Sequence, residues 1–221
     1  MTSLSTMTSK LFIENYKILQ TAPENEDNRP SHNYHSVDLV TTSVDKPNFE
    51  KFLIALNIDR SGSMGTTDKS GKTPLQYTIH TVKCLIDYLE EIKTNNPDIN
   101  IKVLLNAFDD RQLKIGLYEI GKDKDSKLKY FEKINSINPR GSTNIEGAFQ
   151  SILHDELYLE TSDTEKAHIL FTDGQPNIGR QSAEGITNAN PGGKQIYIGY
   201  GNGHDSKLLQ EMAKIIDGDY H

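Results

Sequence analysis

The chain has 221 residues, 35% of them hydrophobic, a single cysteine and a formal charge of −7, with a mean hydropathy of −0.60. That length is enough for one large domain with a sizeable core. The acidic balance works against nucleic acid, which needs clustered Lys and Arg, and the lone Cys84 rules out a scaffold of intrachain disulfides. No uncharged apolar run is long enough to span a bilayer, and the polar stretch Met1 to Lys10 lacks the apolar core of a signal peptide, so a cytoplasmic location is expected.

In chain order, residues 1–35 read as an N-terminal extension. Leu11 to Leu19 suits a strand or a short helix, and Thr21 to His35 is rich in Pro, Asn, Glu and Asp, the composition of an exposed loop. Residues 36–221 read as the domain itself. Val37 to Thr42 predicts a strand, and Asp45 to Asn48 turns the chain into Phe52 to Ile58, an apolar run of strand length. Asp59-Arg60-Ser61-Gly62-Ser63 comes next. A carboxylate followed by two hydroxyls at alternate positions sets three oxygen donors on one tight turn, the chemistry that a hard cation such as Mg²⁺ takes. Alone, the same residues also describe an ordinary loop.

A helix starts clearly at Thr73, with Pro74 at its first position, Gln76 closing a capping box, and Leu75, Ile79, Val82, Ile86 and Leu89 as its apolar stripe. Cys84 lies beside that stripe and reads as a half-buried thiol with no cation to activate it. Asn95-Asn96-Pro97 ends the helix. Ile101 to Phe108 predicts a second strand, Asp109 to Arg111 a turn, and Gln112 to Ile120 an antiparallel edge strand. The charged run Lys122 to Lys129 reads as a solvated helix face. Asn138 to Asn144 is a loop before a helix at Ile145 to Leu153, which Thr143 and Glu146 can cap. Ala167 to Thr172 is a buried strand closed by Asp173-Gly174-Gln175-Pro176. A short helix over Ser182 to Thr187 and a strand over Gln195 to Tyr200 follow. Asp205 opens a helix with Leu208, Leu209, Met212, Ile215 and Ile216 turned inward. Strands alternating with helices predict an α/β fold: a doubly wound, mostly parallel sheet with one antiparallel edge strand and helices on both faces.

In such a sheet, ligands bind beyond the carboxyl ends of the strands. Asp59, Ser61 and Ser63 lie on one loop of that edge, Ser142 and Thr143 on a second, and Asp173 on a third. Three loops then surround one cation with two carboxylates and several hydroxyls.

With these residues in view, the sequence resembles the von Willebrand factor A domain family. The likeness rests on the DxSxS pattern of Asp59, Ser61 and Ser63, on Gly141-Ser142-Thr143-Asn144, and on Thr172-Asp173-Gly174, in the family's order. It runs from about Phe52 to the C-terminus, and residues 1–35 have no counterpart in it. The resemblance implies a metal-ion-dependent adhesion site in which Ser61, Ser63 and Thr143 bind Mg²⁺ directly, with Mn²⁺ or Ca²⁺ as alternatives, while Asp59 and Asp173 act mainly through water. It also implies a last strand and helix after Gly218-Asp219-Tyr220. Their absence would leave strand 195–200 without a neighbour unless residues 11–19 or 37–42 cover it, and would make this chain part of a longer one or of a complex.

The functional expectation is a protein-binding module, not an enzyme, that holds an Asp or Glu of a protein partner on the metal, with no nucleic acid or membrane as partner. Arg60, Met64, Asn144 and Gln175 lie near the metal loops in sequence and are candidates for reading the surroundings of the partner's carboxylate. Two other readings stand beside it. One is a metal-assisted hydrolase with His204 as base, and the other is a scaffold subunit whose metal is purely structural.

Overall fold

The structure is a computed structural model and describes residues 51–159, 163–201 and 204–221. The expected strand and turn between 36 and 50, and the reading of residues 1–35, lie outside these. β1 (Lys51–Asp59), β2 (Asn100–Phe108), β3 (Gln112–Glu119), β4 (Glu165–Thr172), β5 (Lys194–Gly199) and β6 (Asp219–Tyr220) form one six-stranded sheet in the order β3-β2-β1-β4-β5-β6. Only the β2–β3 pair is antiparallel, which is the predicted edge. β1 is central and buried from Phe52 to Asp59, as a strand covered on both faces must be.

The helices are α1 (Pro74–Asn95), α2 (Lys124–Asn135), α3 (Ile145–Leu153), α4 (Glu156–Leu159), α5 (Ala183–Thr187) and α6 (Ser206–Ile215). α1 begins with the predicted capping box: the Gln76 amide donates to Thr73 Oγ1 at 3.2 Å, and the Thr73 amide donates to Gln76 Oε1 at 2.9 Å. α3, α5 and α6 bury Phe149, Ile186, Leu209 and Met212 with Phe108, Leu170 and Tyr197 of the sheet. Among the described residues, no helix is long and apolar enough to cross a membrane.

Three expectations need correction. Ile215 is 52% exposed and Ala213 takes the inward place on α6; the last turn carries Ile215 off the apolar stripe. The cap of α3 is Asn144, whose Oδ1 accepts from the Gly147 amide at 2.8 Å, because the helix starts one residue later than a Thr143 cap requires. Glu146 instead accepts from the Arg180 amide at 2.8 Å. Finally, β5 is not left without a neighbour. β6 pairs with it in parallel, the His221 amide donating to the Tyr197 carbonyl and the Gly199 amide to that of His221.

A polar band crosses the middle of the sheet under α3. Asn57 Nδ2 donates to the Ala148 carbonyl at 2.9 Å and lies 3.0 Å from His168 Nε2. His168 Nδ1 is 2.7 Å from Gln195 Oε1, while Gln195 Nε2 donates to the Gly192 carbonyl. With its own amide nitrogen committed, Gln195 offers His168 an acceptor, so the network assigns the proton to Nδ1 and leaves Nε2 accepting from Asn57. Burial holds this ring's pKa down at about 4, against the Gln195 bond that raises it.

Candidate metal centre

The loops after β1 and β4 and the loop before α3 meet at the carboxyl ends of the central strands, and backbone bonds join them. The Gly62 amide donates to the Gly141 carbonyl at 3.1 Å, the Arg140 amide to the Arg60 carbonyl at 2.7 Å, and the Asn177 amide to the Thr143 carbonyl at 3.0 Å. Thr143 returns the last bond, its amide donating to Asn177 Oδ1 at 2.9 Å. Gly141 stands at φ +67°, and a Cβ there would run into the Asp110 carboxylate. Only glycine fits this turn without strain.

At the centre is Asp59, fully buried. Its Oδ1 accepts from the Ser61 amide at 2.7 Å and its Oδ2 from the Thr172 hydroxyl at 2.6 Å. Thr172 Oγ1 in turn accepts from the Gly174 amide at 2.9 Å, which fixes the turn that carries Asp173. Burial pushes the Asp59 carboxyl up to about 6, opposed by hydrogen bonds from Thr172 and Ser61 and reinforced by the charge of Asp173. The hydroxyls of Ser61 and Ser63 are 3.1 Å apart. Adjacent corners of an octahedron with Mg²⁺–O bonds of about 2.0–2.1 Å are about 2.9 Å apart, so this pair suits one small cation. Asp173 Oδ1 is buried with no hydrogen-bond partner, and an unpaired buried carboxylate oxygen is costly unless something positive reaches it.

The donor set therefore fits a hard divalent ion. Among the described residues no three His, Cys, Asp or Glu side chains gather as a metal cluster; this site has two carboxylates and draws its remaining oxygens from hydroxyls. Ser63 and Asp173 also form part of the wall of a cleft of about 510 Å³ that Tyr77, Gln175, Tyr200 and His204 line.

Of the residues expected to read a partner, Gln175 is exposed on this cleft. Met64 is fully buried under its 3₁₀ turn and cannot touch a partner. Arg60 also turns inward, its guanidinium 3.0 Å from Asp109 Oδ2, and Asn144 has its side-chain oxygen committed to the cap of α3. His204 is on the expected edge, but Nδ1 lies 2.6 Å from the Gly201 carbonyl and Nε2 2.6 Å from the Tyr220 hydroxyl. Since the carbonyl can only accept, the network puts the proton on Nδ1 and leaves Nε2 accepting from Tyr220.

Asp109 is the residue that sequence reasoning passed over as a turn. It is fully buried, and its Oδ2 takes Arg60 Nη2 and Arg140 Nε, each at 3.0 Å. Oδ1 accepts from the Arg111 amide at 2.7 Å, and its carbonyl accepts from the Asn144 amide. One carboxylate thus ties the loops after β1 and β2 to the loop before α3. The available signal was its place at the end of β2, on the edge that carries Asp59 and Asp173.

Residues 54–221 match the sequence model of the von Willebrand factor type A domain. No curated protein matches the chain. Among solved structures, a von Willebrand factor type A protein from Catenulispora acidiphila superposes with a TM-score of 0.60 at 17% identity, covering 77% of this chain and 38% of that one. An aerotolerance-related membrane protein from Bacteroides fragilis gives 0.57 at 17% identity, with 76% and 90% covered. The manganese-loaded TRAP protein of Plasmodium vivax gives 0.50 at 20% identity, with 75% and 63% covered. The chain thus spans well under half of the Catenulispora acidiphila protein.

Proposed function

The chain belongs to the von Willebrand factor type A domain family, and from that premise we propose that it is a divalent-metal-dependent protein-binding module and not an enzyme. The observation that carries this reading is the buried, unpartnered Asp173 oxygen on the edge where Ser61 and Ser63 bring two hydroxyls within 3.1 Å. The hydroxyls of Ser61, Ser63 and Thr143 would hold Mg²⁺, with Asp59 and Asp173 behind them. When bound, the ion supplies an electrophilic position for a carboxylate from an Asp or Glu of the partner. Neutral hydroxyls leave its charge largely uncompensated, which favours an anionic ligand. The manganese in the Plasmodium vivax relative supports a divalent ion of this size, and Mn²⁺ or Ca²⁺ are alternatives.

The protein residues do the positioning. Asp59 orients Ser61 and Thr172, Thr172 holds the turn of Asp173, and Asp109 joins the loops behind them. The two bonds of His204 leave it poorly placed as a general base, since its accepting nitrogen already faces a hydroxyl donor.

Capture of partners from an extract, in Mg²⁺ and again in EDTA, tests the reading. Partner retained in Mg²⁺ and released by EDTA is the expected result. Equal retention in both would favour a scaffold with a structural metal, and turnover of an ester or phosphoester lost on His204→Ala would favour the hydrolase.

A further inference from the structure

The cleft that Ser63 and Asp173 help to line is also lined by Pro74, Tyr77 and Tyr200. Both tyrosines are anchored by their hydroxyls. Tyr77 OH donates to Asp68 Oδ2 at 2.9 Å, and Tyr200 OH is 3.0 Å from Thr81 Oγ1 on α1. The Tyr200 ring also stacks on Phe171, with centroids 6.4 Å apart. Held at their polar ends and half-buried, the two side chains give the cleft aromatic walls. Such walls favour an apolar occupant and lose little side-chain entropy when it enters.

Charge narrows the choice further. Among the described residues no lysine or arginine lines the cleft, so the lining offers no salt bridge to a second acidic group. Among the described lining residues Asp68 is the one carboxylate besides Asp173, and it already accepts from the Ser70 amide and hydroxyl, the Lys72 amide and Tyr77. The Lys72 ammonium lies 5.7 Å from the centre of the Tyr77 ring, so the cation contact that this ring could offer a basic ligand is already taken. About 510 Å³ is room for one or two side chains.

We propose that this cleft takes an uncharged apolar or aromatic side chain next to the metal-held carboxylate, so that the element recognised in the partner is an acidic residue flanked by a residue of the Phe, Tyr or Leu kind. The inference rests on the metal reading above, and the continuity of the cleft with Ser63 and Asp173 links the two.

The test uses nine-residue peptides with a central Asp in a Gly/Ser background, in which either neighbour of the Asp is varied through Phe, Leu, Ser, Lys and Glu. Binding to the whole chain is measured in Mg²⁺ and in EDTA, after a calorimetric Mg²⁺ titration. At one neighbouring position, Phe or Leu is expected to bind about tenfold more tightly than Ser, from partial burial of one apolar side chain, and only in Mg²⁺. Tyr77→Ala should bring the Phe-to-Ser ratio to about one, whereas Tyr77→Phe, which keeps the ring and loses only the hydroxyl, should preserve it. A chain that binds Mg²⁺ and shows equal affinity for all neighbours, a preference for Lys or Glu, or an unchanged ratio in Tyr77→Ala overturns the proposal and leaves the metal reading standing. A chain that takes up no Mg²⁺ removes both.

Discussion

Asp59 and His168 are both fully buried, on the adjacent strands β1 and β4, and their surroundings treat them in opposite ways. Burial favours the neutral form of each, raising the carboxyl to about 6 and lowering the imidazole to about 4. The neutral imidazole is then complete, with one nitrogen donating to Gln195 and the other accepting from Asn57. Asp59 reaches no such closure. Its two oxygens take a backbone amide and a hydroxyl, donors that favour the anion, while burial and Asp173 oppose that charge. A polar group closed on both sides in mid-sheet is architecture. A carboxylate at a strand end whose bonds and burial disagree is where the proposed cation would act, and that difference separates the candidate site from the scaffold.

Removing the charge at Asp59 should separate the two residues most strongly. Asp59→Asn should lower Mg²⁺ affinity about ten- to a hundredfold. Without metal at pH 7 it should be no less stable than the wild type, since ionising the buried carboxyl costs about 3 kcal/mol for a pKa moved from 3.8 to about 6. Calorimetry and urea denaturation give the two numbers. His168→Ala should do the reverse. A cavity plus two stranded polar partners should cost about 3 kcal/mol of stability, while the folded fraction binds Mg²⁺ as before.

Acid separates the two groups by sign. The folded pKa of His168 is depressed, so its contribution is complete above about 6.5 and is lost as pH falls towards 4. The folded pKa of Asp59 is raised, so in the metal-free chain its contribution is complete below about 3.8 and is lost as pH rises through about 6. The two oppose each other between pH 4 and 6 without metal. A bound Mg²⁺ keeps Asp59 ionised, so the stability increment from Mg²⁺ should grow by up to about 1.4 kcal/mol per pH unit up to about pH 6 and then level off. Urea midpoints taken at each pH with and without Mg²⁺ give this difference directly, and an increment that is flat with pH would show that Asp59 is uncoupled from the metal.

The smallest effect concerns the cap of α3. Asn144→Ala should cost about 1 kcal/mol. Thr143→Ala, at a buried position, should cost a similar amount on the same denaturation curve through its lost methyl group, yet unlike Asn144→Ala it should remove most metal-dependent binding. A cap-sized loss at Thr143 with binding intact would return it to a structural role.

The strand-end carboxylates and hydroxyls were legible in the sequence because each follows a long apolar run, and a parallel sheet brings such ends to one edge. The helix starting at Thr73 was equally plain, since cap, proline and stripe agree. What the sequence concealed was direction. Arg60 and Met64 adjoin the site in the chain, but a tight turn sends one to Asp109 and the other under the loop. Asp109 looked like turn chemistry because its partners, Arg60 and Arg140, come from distant segments. Asn57, His168 and Gln195 are ordinary strand residues until register places them on one face.

A calorimetric titration of the chelator-stripped chain with Mg²⁺ at pH 7, alongside Ser61→Ala, tests the central claim most directly. One saturable site per chain is expected in the wild type, and at least tenfold weaker binding in a Ser61→Ala variant that still unfolds cooperatively. A folded wild type that takes up no Mg²⁺, or a Ser61→Ala variant with undiminished affinity, would contradict it.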